Sequence, residues 1–330
     1  MPLYICLAVW VLFGLNSAFA ADEMSAADNK IPGLAIDEID DEGDDDADEG
    51  WESQVLGASV GLQERYRNIV NKAYNLDTVA RIGEKLTYLV KWKGIPAGTA
   101  TLEVKRQAQI RGRPVYVVEL HSISNDFLSL VYEVDSTIRS FIDVEDGRSH
   151  LFKRNGKEGR RNLNDSLEFD YTRKREDGIP EPVSVYSKMK NGQLTTSLPR
   201  PIPGPLQDSL SIIYYMRKLD LSEKGSCQEV LLGSCKRTDI VTIQVLGFEQ
   251  ITLPSKLGTF ECIKVKPKGD PHADRTNIVV TKGTAVFWLE KNTRIPLMAE
   301  VDIPIGSLKL YLVKAEHTPL AEVAVKKIGN

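Results

Sequence analysis

The chain has 330 residues, 42% apolar, 27% charged and 7% aromatic, with a formal net charge of −4. These values exclude collagen, a wholly disordered chain, a polytopic membrane protein and a small disulfide scaffold. The −4 conceals a partition: residues 22–52 carry fourteen acids and one base, Lys30, a formal −13, and residues 53–330 carry +9.

Residues 1–20 read as a signal peptide. Leu3 to Ala21 hold no charged side chain, and Ala18-Phe19-Ala20 places small residues where a signal peptidase reads. Cleavage after Ala20 is expected. The competing reading is an uncleaved anchor, since about 20 apolar residues span a bilayer. No later stretch is apolar enough to span. The expected location is therefore outside the cytoplasm, in the periplasm or secreted, with no membrane span after signal cleavage.

Residues 21–61 form an acidic leader, expected to be disordered. Its densest run, Asp37 to Glu49, repels itself and offers little apolar surface to offset the entropy of ordering. Asp44, Asp46 and Asp48 alternate as in a calcium loop. Glu49 stands where that loop needs glycine and Val55 where it needs glutamate, so no metal site is expected.

Residues 62–79 predict a linking helix, with Leu62, Tyr66, Ile69, Val70 and Ala73 on one stripe. From Gly83 the period becomes two. Leu86, Tyr88, Val90 and Trp92 share one face, Gly94 to Gly98 supplies a turn, and Thr99 to Lys105 alternates again. Further strands are expected at 114–121, 129–143, 148–154, 164–174 and 182–190. Pro199 to Pro205 reads as a stiff extended crossing. Asp208 then caps a helix from Leu210 to Leu219, with Leu210, Ile213, Tyr214 and Leu219 laid on the sheet. Strands resume at 228–232, 238–247, 259–266, 276–281, 284–290, 294–302 and 307–314. Residues 80–317 are read as one β-rich domain and 318–330 as a C-terminal tail. The expected fold is mainly β, an antiparallel sheet curled into a barrel or half-barrel with one packed helix.

The blocks Gly83-Glu84-Lys85-Leu86-Thr87-Tyr88 with Trp92, Gly94-Ile95 and Ala97-Gly98-Thr99-Ala100 resemble a bacterial family of exported proteins, the domain-of-unknown-function family 3108. Asp208-Ser209-Leu210-Ser211 with Tyr214-Tyr215 and Arg217 fits it too. So does Val286-Phe287-Trp288-Leu289 with Arg294, Pro296 and Gly306-Ser307. The resemblance covers about residues 83–315 and implies a β-rich envelope protein. It brings no established activity, so no catalytic residue carries over. Lys224 to Arg237 looks longer than that family leads one to expect.

No HExxH, nucleophile elbow or phosphate loop is present. His121, His150, His272 and His317 lie far apart, and no cofactor or metal is expected. Cys227 and Cys235 could face each other across a hairpin as a disulfide, or be ordinary small residues. Cys262 sits in an alternating strand and is expected to pack. The bases Lys153-Arg154, Arg160-Arg161 and Arg173-Lys174-Arg175 read as solvated hairpin tips. Nucleic acid is not an expected partner; a charge match to anionic lipid or polysaccharide is the alternative.

The leading expectation is a non-enzymatic exported cell-envelope protein. An apolar concavity walled by Tyr88, Trp92, Phe287 and Trp288 would hold a lipid-like ligand or hydrophobic peptide, with Tyr215 and Arg217 at its mouth. For each residue, core packing is the competing reading. The alternative function is a structural or protein-interaction module of the envelope with a solid core. An envelope hydrolase ranks last, for want of a constellation.

Overall fold

The computed structural model describes residue 69 and residues 73–320 except 131, 191, 236, 270–284 and 304–305. The signal segment, the leader, most of the linking helix, the strand expected at 276–281 and nearly all of the C-terminal tail lie outside the described residues.

The fold is mainly β. Fifteen strands are β1 (Lys85–Trp92), β2 (Ile95–Ile110), β3 (Arg113–Ser124), β4 (Val134–Asp143), β5 (Ser149–Glu158), β6 (Arg161–Asp170), β7 (Val183–Lys190), β8 (Gln193–Thr196), β9 (Arg200–Pro201), β10 (Cys227–Gly233), β11 (Thr238–Thr252), β12 (Thr259–Gly269), β13 (Ala285–Glu290), β14 (Pro296–Ile303) and β15 (Gly306–Glu316). Among the described residues a 3-10 turn at Leu76–Thr78 precedes them, and two short α-helices, α1 (Asp126–Ser129) and α2 (Ser211–Met216), interrupt them.

All the strands belong to one antiparallel sheet, ordered β10-β11-β12-β13-β14-β15-β1-β2-β3-β4-β5-β6-β7-β8, with β9 beside β7. The two-period predicted from Gly83 is the reason. In β1, Leu86, Tyr88 and Val90 are buried while Lys85, Thr87 and Leu89 are half-buried. Lys93 and Gly94, both at positive φ, turn β1 into β2 as a two-residue hairpin requires. β15 closes on β1, so the last strand pairs the first and joins the two halves of the ladder.

The barrel expectation needs correction. The ladder runs from β10 to β8 and does not close, because those two strands do not pair. Residues 206–208 bridge β5 and β10 without becoming a strand: Ser149 N–H donates to the Leu206 carbonyl, and Gly233 N–H donates to that of Gln207. The proline-rich segment 199–205 makes an extended crossing whose only pairing is the two-residue β9 against β7.

Two expected strand limits shift for local reasons. Asn125 accepts from Leu128 N–H and starts α1, so β4 begins only at Val134. Asp170 accepts from Thr172 N–H, and this turn ends β6. α2 is shorter than expected and begins one residue later, at Ser211; Asp208 Oδ1 still accepts from Leu210 N–H (2.7 Å) and Ser211 N–H (2.8 Å) in the turn that leads into it. The main apolar cluster draws on strands from β1 to β15 and on α2, whose six residues are all buried.

Candidate functional site

The six candidate wall residues do not assemble into one surface. On α2, Arg217 follows the last helical residue and turns inward. Its guanidinium meets Glu84 at 3.0 and 2.8 Å, gives a third bond to the Val79 carbonyl at 2.7 Å, and stacks over the Tyr214 ring at 4.5 Å. Both charged side chains are about 99% shielded from solvent, at 2% and 1% exposure. Burial alone would push the arginine's pKa down; the Glu84 carboxylate outweighs it and holds the group charged.

Tyr88 is buried next to this pair and donates its hydroxyl to the Pro296 carbonyl at 2.9 Å. Burial, with Glu84 adding to it, pushes its phenol above the usual range. Tyr215 meets Tyr74 edge-on at 5.3 Å between ring centroids. Trp92, at the far end of β1, is half-buried and packs both on the main core and on a small cluster of Ala97, Leu128, Tyr132 and Val134.

Phe287 and Trp288 are neighbours on β13, so the strand's two-period sends them to opposite faces. Phe287 pairs with core residue Val265 and Trp288 with Lys264, whose ammonium sits 4.7 Å from the indole ring. Trp288 Nε1–H donates to Glu249.

Two cavities bear on ligand binding. One, of about 160 Å³, lies over β4–β8 and is lined by Thr137, Arg139, Lys153, Asn155, Asn164 and Ser187, among others. It is polar, and none of the six residues lines it. The other, of about 40 Å³, is lined by Tyr215 with Ile69, Asp146, Arg148, Gln207 and Leu231. It has room for one to a few waters, at roughly 10–15 Å³ each.

The cysteine pairing also needs correction. Cys227 opens β10 and Cys235 lies two residues beyond its end; neither is in a disulfide, nor is Cys262. The strand between them holds them on the order of 20 Å apart, at ~3.3 Å per residue. Cys227 is exposed and the other two are buried. Burial pushes the Cys262 thiol up to about 12. In the folded mature chain, iodoacetamide is expected to label Cys227 alone, with all three labelled in denaturant. Two fast-labelling thiols in the native protein would contradict this burial pattern.

His150 Nε2 lies 2.8 Å from Asp143 Oδ2, and its other ring nitrogen is buried with no partner. The nearby hydroxyls of Ser140 and Ser149 both donate to Asp208. Among the described residues no group of three or more His, Cys, Asp or Glu could hold a metal ion.

Sequence reasoning missed Glu84, although the signal was there. Position 84 has the same parity as buried Leu86, Tyr88 and Val90, so an acid there faces inward and needs a buried base. It also missed α1: Phe127 fell between two expected strands and Leu130 inside the one expected at 129–143, and both are exposed, on and just after the helix.

A family described as "protein of unknown function (DUF3108)" matches residues 87–313. A comparison with curated proteins returns no match. Among solved structures, a candidate exported protein with a YmcC-like fold from Bacteroides fragilis overlaps at a TM-score of 0.32 and 10% identity, covering 72% of this chain and 96% of that one. A candidate lipoprotein from Parabacteroides distasonis overlaps at 0.32 and 12% identity, with the same coverage. An overlap at that score does not carry function across.

Proposed function

The chain belongs to the DUF3108 family, whose match spans most of the β-rich body, and from that premise we propose an exported, non-enzymatic envelope protein that works through its surface. One observation carries the choice: the residues expected to wall an apolar concavity are engaged in packing instead. Tyr88 is bonded to Pro296, Arg217 to Glu84, and Phe287 and Trp288 face opposite ways. A structural or interaction module with a solid core fits this better than a carrier of a lipid-like ligand. Export rests on the apolar segment ending in Ala18-Phe19-Ala20.

Native mass spectrometry of the protein taken from the envelope separates the two readings. A solid module is expected at the bare mass of its chain. A retained lipid-like mass, lost on denaturation, would restore the carrier.

A further inference from the structure

We propose that two copies of this chain pair edge to edge through β8, an antiparallel strand addition that joins their sheets. It goes beyond the solid-core reading and does not depend on it, because self-association and ligand retention are separate measurements.

The two ends of the ladder are finished differently. At one end Gln207 lies along β10: its N–H donates to the Leu231 carbonyl at 2.9 Å, and its own carbonyl accepts from Gly233 N–H at 2.8 Å. At the other end β8 is the last strand, and among the described residues nothing pairs with its far side. An unpaired edge presents a row of backbone donors and acceptors that another strand satisfies.

Which groups point outward follows from the alternation of an antiparallel pair. Ser197 N–H donates to the Tyr186 carbonyl at 2.8 Å and so faces β7. Thr196 and Leu198 on either side of it therefore turn their N–H and carbonyl groups away from β7, as does Leu194 two residues before Thr196. Leu198 precedes Pro199, which favours the extended backbone there.

The side chains of this edge are apolar and open. Leu194 is 66% exposed, Leu198 73%, and Met189, opposite Leu194 on β7, 38%. Natural edges are guarded by a charge, a proline or a bulge. Gln193 to Leu198 holds no charge and no proline, and its pairing with β7 runs without a shift of register.

A second copy fits this edge by symmetry. Antiparallel pairing about a two-fold axis at Thr196 sets that residue against Thr196 of the partner copy. Leu194 then lies opposite Leu198 of the partner copy, once on each side of the axis. The outward N–H and carbonyl groups of Leu194, Thr196 and Leu198 are matched by the same three residues, with none left over. No charge on either strand opposes the contact. The lysines of β7, Lys188 and Lys190, stand three strand spacings from β7 of the partner copy, about 14 Å at ~4.8 Å each. That exceeds the screening length of ~8–10 Å. A head-to-tail contact of β8 with β10 is disfavoured, because Gln207 already occupies that edge. The strip is narrower than the roughly 20–30 residues a side of a standard interface, so the dimer should form in the micromolar range.

The test is sedimentation velocity of the mature chain over rising concentration, with a reductant present so that the exposed Cys227 does not cross-link copies. A monomer–dimer equilibrium is expected, and amide exchange at Leu194, Thr196 and Leu198 should slow as concentration rises. Thr196→Pro removes an N–H that the pairing with β7 does not use, and Leu194→Lys sets a charge on the edge. Each should weaken dimerisation at least tenfold while melting as the dilute parent does. A parent chain that stays monomeric overturns the proposal, and so does a dimer that both variants retain. Exchange at those three amides that is independent of concentration overturns it as well, and this reading needs no variant to fold.

Discussion

Replacing Glu84 with alanine is expected to lower the stability of the domain by about 3–5 kcal/mol, the cost of leaving a buried charge without its partner. Arg217 then keeps its charge in an interior that offers it one carbonyl and the face of Tyr214. Neither satisfies a guanidinium whose Nε has no partner even in the parent chain. In a domain of this size the melting temperature should fall by roughly 10 °C, at about 2–4 °C per kcal/mol. Arg217→Met should cost less, because methionine fills much of the arginine's volume and leaves no buried guanidinium behind. The double variant Glu84→Leu/Arg217→Met decides what the pair is for. Breaking a buried ion pair is costly, but replacing both ends with apolar groups is often neutral. Recovery of most of the lost stability means the pair fixes how α2 seats on β1 without adding net stability. A single Glu84→Ala change that costs under ~1 kcal/mol would show that Arg217 is far wetter than its 2% exposure implies.

The strands were legible because alternation is a local signal. Tyr88 is inward because Leu86 and Val90 are, and no tertiary information is needed to see it. The helix cap at Asp208 was legible for the same reason, since its acceptor reaches backbone only two and three residues away. What those residues do together was not legible. Glu84 and Arg217 are far apart in sequence, and their contact exists only because β1 lies in mid-sheet with α2 packed beside it. Phe287 and Trp288 read as a joint wall because adjacency in sequence suggests adjacency in space. In a strand it means the reverse. Closure of the sheet was equally out of reach. Alternation says that a face is buried, but the same pattern serves a closed barrel and an open ladder covered by α2 and residues 206–208. The short helix α1 was hidden by its length, because Phe127 and Leu128 fell between two expected strands and Leu130 inside the next, until Asn125 caps a single turn there.

Asp143 should set much of the acid sensitivity of the fold. It is fully buried, at 0% exposure, at the head of the β4–β5 turn. Arg113 donates to both its oxygens at 2.7 and 2.8 Å, His150 Nε2 lies at 2.8 Å, and the backbone N–H groups of Glu145 and Asp146 donate at 2.9 and 3.2 Å. Burial pushes this carboxyl up, but the bonds from His150, Arg113 and the turn outweigh burial and hold it well below the usual carboxylate range. A carboxyl with a depressed folded pKa contributes stability that is fully present above its unfolded value, near 4, and is lost as the pH falls through the folded value. Asp143→Asn keeps the shape and removes the charge. It should cost about 2–3 kcal/mol at pH 7, within the range for hydrogen bonds to a charged group. The deficit should shrink steadily below about pH 4, where the parent begins to lose the same stabilisation. Asp146 beside it is shifted upward, chiefly by burial, so the parent's own acid limb mixes two opposite contributions. Comparing parent and variant at each pH isolates Asp143. The turn also seats the linker: Leu76 N–H donates to the Val144 carbonyl at 2.8 Å, and Tyr74 lies so close to Gly147 that a Cβ there would enter its ring. Loosening the turn should therefore also expose Tyr74, read as increased hydrogen exchange at Leu76 in the variant. A deficit that stays constant from pH 7 to pH 2 would mean that the charge of Asp143 is not what holds this turn.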